Sequence, residues 1–308
     1  MRTSSSDPAG AIFHGCGVAL VTPFEYRGGV NVRVLRELID FQIAGGIDAL
    51  VVCGSTGEAA TMSPEEQRLV VETAVQLSAG RVPVVVGVGG SDTASVARLA
   101  RQAAKAGADA ILASAPPYNK PTQAGLLAHF RAILEESDLP MIVYNVPGRT
   151  SCNILPATIE ELAEDSRVAG VKEASGDISQ VAELCRRLDG RVAVYSGNDD
   201  QIVPVMSLGG KGVISVVANI APRETTRITH AFLEGNTEEA RKLQLRYLPL
   251  IQALFDEPNP IPVKAAVNSI GFDVGPVRLP LTLATSETLQ ALRERMREVG
   301  LIAEAAVS

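Results

Sequence analysis

GGIDALVVCG at residues 45–54, AGADAILASA at 106–115 and GGKGVISVVA at 209–218 read as one phrase written three times: a glycine closing a helical pattern, then a short apolar run. A glycine suits the left-handed turn at a helix end. Runs of the same kind occupy residues 13–21, 47–53, 82–88, 108–114, 140–145, 167–172, 192–196 and 212–217, which makes eight candidate strands. Each is almost continuously apolar and is followed by an amphipathic stretch, the pattern of parallel strands buried on both faces. Alternating strands and helices point to a closed (β/α)8 barrel, the TIM barrel. An open doubly wound sheet is the alternative, and the internal repeat favours closure.

Boundary signals agree with this reading. In Ser63-Pro64-Glu65-Glu66 the serine can cap a helix, Pro64 can take its first position and Glu66 can complete a capping box. From about residue 222 the strand pattern stops, and segments near 223–234, 237–255, 260–270 and 285–299 read as helices. The expected organisation is a disordered tail at 1–10, the barrel at 11–222 and a C-terminal helical region packed on it at 223–308. A chain of 308 residues exceeds the roughly 250 of a typical barrel by about such an appendage.

Composition narrows the partners. A net charge of −7 with no basic run argues against nucleic acid and anionic membranes. No window approaches the ~18 apolar residues needed to cross a bilayer, and the first ten residues, MRTSSSDPAG, lack the apolar core of a signal peptide. The expected compartment is the cytoplasm. Cys16, Cys53, Cys152 and Cys185 form no C-x-x-C pair and read as free structural thiols. His14, His129 and His230 are not clustered with other ligands, so neither a metal nor a cofactor is expected, and the partner is a small molecule.

In such a barrel the C-terminal strand ends carry the chemistry. Four polar segments fall there: Gly54-Ser55-Thr56-Gly57-Glu58, Pro117-Tyr118-Asn119, Tyr144 to Thr150, and Gly170-Val171-Lys172-Glu173. Of the lysines only Lys172 ends a buried strand. Desolvation disfavours an ammonium and leaves neutral amine near pH 7, the form that attacks a carbonyl. The alternative pairs Lys172 with Glu173 or Glu58. Neighbouring strands lie about 4.8 Å apart, so Tyr144 can bring its phenol beside the amine and, through a hydroxyl such as Ser55 or Thr56, move protons; otherwise Tyr144 is a core aromatic.

Ser55-Thr56-Gly57 offers hydroxyls and successive amides for a carboxylate, and Arg149 could hold a second one bidentately; an ordinary turn and a surface arginine are the plainer readings. Gly87-Val88-Gly89-Gly90-Ser91-Asp92 imitates a dinucleotide fingerprint, but Asp92 stands where the third glycine belongs, so a helix-capping turn fits better. Asp199 and Asp200 follow strand 7 where phosphate-binding barrels need N–H donors, which disfavours a phosphorylated substrate.

Together these residues resemble the dihydrodipicolinate synthase and N-acetylneuraminate lyase superfamily over about residues 12–303. Gly54 to Glu58 looks like its pyruvate-carboxylate loop, Tyr144 like its proton-relay tyrosine, and Gly170-Val171-Lys172-Glu173-Ala174 like its Schiff-base lysine motif. The resemblance implies a Schiff base between Lys172 and pyruvate. Tyr144 to Thr150 looks like the synthase version, in which Arg149 would bind the carboxylate of aspartate semialdehyde. Tyr118 matches a tyrosine inserted into a neighbouring subunit's site, and the resemblance as a whole implies a homotetramer made of tight dimers.

Gly197 and Ile214 match positions whose carbonyls line the pocket, and Asn259-Pro-Ile-Pro-Val-Lys264 with Arg278-Leu-Pro280 resembles the synthase C-terminal region. The implied product is 4-hydroxy-tetrahydrodipicolinate, a step of lysine biosynthesis through diaminopimelate. Position 55 departs from the pattern: synthases usually carry threonine there, and serine keeps the hydroxyl without the β-methyl that restricts it. Another pyruvate-dependent aldolase or a keto-deoxy sugar-acid dehydratase is the nearest alternative, and a catalytically silent barrel used as a binding module the remote one.

Overall fold

A computed structural model describes residues 10–303; the tail expected at 1–10 lies outside them except for Gly10. Eight parallel strands, β1 Gly15–Ala19, β2 Ala49–Val52, β3 Val84–Val88, β4 Ala110–Ser114, β5 Met141–Asn145, β6 Val168–Glu173, β7 Ala193–Ser196 and β8 Gly212–Ser215, close in chain order, with β8 paired back onto β1. Each lies within or one residue beyond a run expected from the sequence. The helices between them are α1 Val32–Ala44, α2 Pro64–Ser78, α3 Thr93–Lys105, α4 Gln123–Glu135, the short α5 Pro147–Thr150, α6 Pro156–Leu162, α7 Ile178–Leu188 and α8 Ile202–Ser207. After β8 come α9 Pro222–Leu233, α10 Thr237–Ala253, α11 Ile261–Ser269 and α12 Ser286–Glu298.

The repeated phrases turn on Gly46, Gly107 and Gly209, whose φ values of 84°, 86° and 103° lie in the region glycine adopts without strain. Ser63 and Glu66 form the full capping box of α2, and Asp92 caps α3 by accepting from the Ser95 amide, so the Gly87 to Asp92 stretch is a capping turn.

Strand side chains alternate between two cores. Ile142, Tyr144, Ala193, Tyr195 and Ile214 fill the interior, whereas Met141, Val143, Val171 and Val194 pack against the helices. Phe13, just before β1, turns inward and stacks on Tyr195 with ring centroids 4.4 Å apart, and the Tyr195 hydroxyl donates to the Phe13 carbonyl. The interior is thus packed near the start of β1.

Helix α9 packs on β1 and meets α1 where a Cβ on Gly45 would lie 2.6 Å from Pro222. The helical ring therefore runs through α9, and α10 to α12 lie beyond it. The loop between α10 and α11 returns to the turn after β2, where Asn259 meets Thr56. Cys16, Cys53 and Cys152 are buried, Cys185 is half-buried, and all are free. Among the described residues no helix is long and apolar enough to cross a membrane.

Candidate active site

Tyr144 and Lys172 are register partners on β5 and β6. Because side chains alternate along a strand, both point into the barrel while Asn145 and Glu173 point out. The Lys172 amine lies 4.5 Å from the centre of the Tyr144 ring. It is 5% exposed, and no hydrogen bond or ion pair to it is found among the described residues. Burial lowers its pKa to about 8, with the Asp199 carboxylate opposing the shift and Arg149 reinforcing it. Burial pushes the Tyr144 phenol up to about 12, against Arg149 and with Glu173, so it stays protonated at neutral pH.

Neither carboxylate weighed as a partner for Lys172 reaches it. Glu173 accepts from the Asn145 and Gln180 side-chain amides and from the Ser175 backbone N–H. Glu58 is taken by Lys264, whose amine lies 2.9 Å away with both side chains 2% exposed.

Asp199 follows the end of β7, and its Oδ2 accepts from the Val216 and Val217 amides just past β8 at 2.9 and 2.8 Å. Burial raises its pKa, opposed by hydrogen bonds from Ser215 and those two amides and by the charge of Lys172. The amides that a phosphate would need after β8 are therefore already engaged by a carboxylate. The pairing of β7 with β8 ends at Ser196 and Val213, so Gly197 and Ile214 stand just past it. Gly197 donates to the Glu173 carbonyl, and a Cβ there would lie 2.5 Å from that of Ala174, which explains the glycine.

The turn after β2 is tied from several sides. Thr22 donates to the Gly57 carbonyl at 2.7 Å. Glu58 sits at φ 56°, with Lys264 on one oxygen and the Arg278 amide on the other. Thr56 is buried, and its hydroxyl accepts from Asn259 Nδ2 at 2.9 Å. Ser55 is exposed, and no hydrogen bond joins it to Tyr144 among the described residues. Arg149, on α5, donates to the Asn259 carbonyl at 3.0 Å.

The structure thus places Tyr144 beside Lys172 with the Arg149 charge acting on both, joins Arg149 to Thr56 through Asn259, and puts Gly197 against β6 and Ile214 in the barrel interior. It does not bring Tyr118 to them: its side chain is 92% exposed at φ 69°, in a loop pinned where Ser91 donates to the Pro117 carbonyl and Asn119 donates to the Ser91 carbonyl. From the sequence, Asn259, Lys264 and Arg278 stand out only as part of the C-terminal resemblance, and Glu58 only as the end of the carboxylate-loop segment and an alternative partner for Lys172. The segments holding Asn259, Lys264 and Arg278 were visible as motifs, but only tertiary structure carries them to the β2 turn.

Comparison with known proteins finds relatives that match nearly the whole chain. Residues 12–299 match the dihydrodipicolinate synthetase family. A 4-hydroxy-tetrahydrodipicolinate synthase of Thermoanaerobacter is 51% identical over 295 residues, covering 96% of this chain and 99% of that one. The crystal structure of the Thermotoga maritima dihydrodipicolinate synthase superposes with a TM-score of 0.92 at 41% identity, covering 94% of this chain and 100% of the other. A chloride-inhibited dihydrodipicolinate synthase of Acinetobacter baumannii, solved with pyruvate, gives 0.92 at 39% identity, covering 94% and 99%.

Proposed function

This chain belongs to the dihydrodipicolinate synthetase family, and from that premise we propose that it condenses pyruvate with aspartate 4-semialdehyde to 4-hydroxy-tetrahydrodipicolinate in lysine biosynthesis. It is a lyase that works through a Schiff base. The observation that carries the reading is the unpartnered, desolvated Lys172 amine beside Tyr144.

With a pKa of about 8, about a tenth of Lys172 is neutral at pH 7. The neutral amine attacks C2 of pyruvate, and the carbinolamine loses water to give the imine. The protonated Tyr144 phenol delivers the proton that the departing hydroxyl requires. Loss of a C3 proton then gives an enamine, whose carbon attacks the aldehyde of the second substrate. The amino group of that substrate displaces Lys172 from the former C2, closing the ring and returning the amine.

Thr56 and the amides of its turn hold the pyruvate carboxylate, Arg149 holds the carboxylate of the semialdehyde, and the carbonyls of Gly197 and Ile214 line the pocket. Ser55 and Tyr118 extend the proton relay from Tyr144, with Tyr118 supplied by a second copy. Its outward position fits that role. The assembly is a homotetramer, a dimer of dimers in the cytoplasm, and sedimentation as a single chain would contradict it. The chemistry needs no cofactor or metal, because the protonated imine formed on Lys172 is itself the electron sink for loss of the C3 proton.

Arg149 separates this reaction from aldol or dehydratase chemistry on the same lysine. Losing a charge-assisted hydrogen bond costs about 1.5–3 kcal/mol, so Arg149→Ala should lower kcat/KM for aspartate semialdehyde about tenfold to a hundredfold and leave imine formation with pyruvate intact. Comparable turnover of a keto-deoxy sugar acid by the parent chain would overturn the assignment.

A further inference from the structure

We propose that Asn259, contributed from outside the barrel, is the positioning residue of the substrate site, an inference that rests on the carboxylate roles given above to Thr56 and Arg149. Asn259 is 6% exposed and sits between them. Its side-chain Nδ2 donates to the Thr56 hydroxyl at 2.9 Å, and its backbone carbonyl accepts from Arg149 at 3.0 Å. A threonine hydroxyl has one proton and two lone pairs. With Asn259 filling an acceptor position, the proton of Thr56 is left to donate, which is what a carboxylate oxygen requires.

The two contacts use different parts of Asn259, and this makes their effects separable. Replacing the side chain removes the donor to Thr56 but keeps the carbonyl that holds Arg149. Thr56 can then turn its hydroxyl elsewhere, which weakens pyruvate binding without disturbing the lysine. The arm that binds the second substrate stays in place. A purely structural role predicts something else: the loop would slacken as a whole and both arms would suffer.

The test is a double-mutant cycle on the full-length chain, with Asn259→Ala, Thr56→Val and the pair. The readouts are the pyruvate concentration that half-saturates borohydride trapping, and steady-state kcat and KM. Loss of one hydrogen bond to a charged group predicts a pyruvate half-saturation raised about tenfold by Asn259→Ala. The KM for aspartate semialdehyde and kcat at saturating pyruvate should stay within about threefold, and the pair should be no worse than Thr56→Val alone. Should Asn259→Ala fail to fold, Asn259→Leu, which is of similar size and cannot donate, carries the same cycle. Half-saturation unchanged by Asn259→Ala, or effects of the two substitutions that multiply, would overturn the inference while the parent chain still traps pyruvate. A parent chain that traps no pyruvate overturns this inference together with the reading beneath it.

Discussion

Lys172 and Lys264 are both buried, and their surroundings give them opposite uses. Lys264 sits on Glu58 at 2.9 Å and donates to the Pro276 carbonyl at 2.8 Å, so although burial lowers its pKa the carboxylate opposes the shift. Lys172 has the Tyr144 ring beside it and, among the described residues, no carboxylate in contact. Its pKa of about 8 makes a pH signature. Below that value the neutral fraction changes about tenfold per pH unit, and above it the fraction saturates. The rate of imine formation with pyruvate should therefore climb from pH 6 to 8 and level off, as single-turnover trapping can show. A rate still climbing steeply between pH 9 and 10 would mean an ordinary, solvated lysine. Tyr144, at about 12, adds no break in that range.

At the scale of elements, the turn after β2 depends on α11 and the chain beyond it. Lys264, Arg278 and Asn259 all reach it from the C-terminal region, and Arg278 also binds Glu66 of α2 and the Thr61 carbonyl. Breaking a buried ion pair leaves a charge without its partner, at a cost of about 3–5 kcal/mol. Lys264→Met should lower the denaturation midpoint accordingly, and adding Glu58→Gln should restore part of the loss; an unchanged midpoint for Lys264→Met would show the pair to be dispensable. This clamp was not legible in the sequence. Helix α11 reads as a helix from its periodicity, but nothing local says that Lys264 faces inward, since a lysine on a helix is ordinarily solvated. The capping box at Ser63 and the cap at Asp92 were legible because their partners lie three residues away.

Across the whole molecule, the eight-strand barrel was readable because parallel strands buried on both faces leave continuous apolar runs, and glycines at 46, 107 and 209 mark the turns between helix and strand. Lys172 and Tyr144 stood out for the same reason: each is a polar group at the end of an apolar run. Asn259 lies 203 residues from Thr56 in the chain and carries no such contrast with its neighbours. Helix α9 follows the last strand and belongs to the ring only because the sheet closes on β1.

All of this converges on one covalent bond, between the Lys172 amine and C2 of pyruvate. Mass spectrometry after borohydride reduction in the presence of pyruvate, on the parent chain and on Lys172→Ala, tests it directly. A pyruvate-sized adduct should map to Lys172 in the parent and be missing from the variant. No adduct in the parent, or one on another lysine, would contradict it.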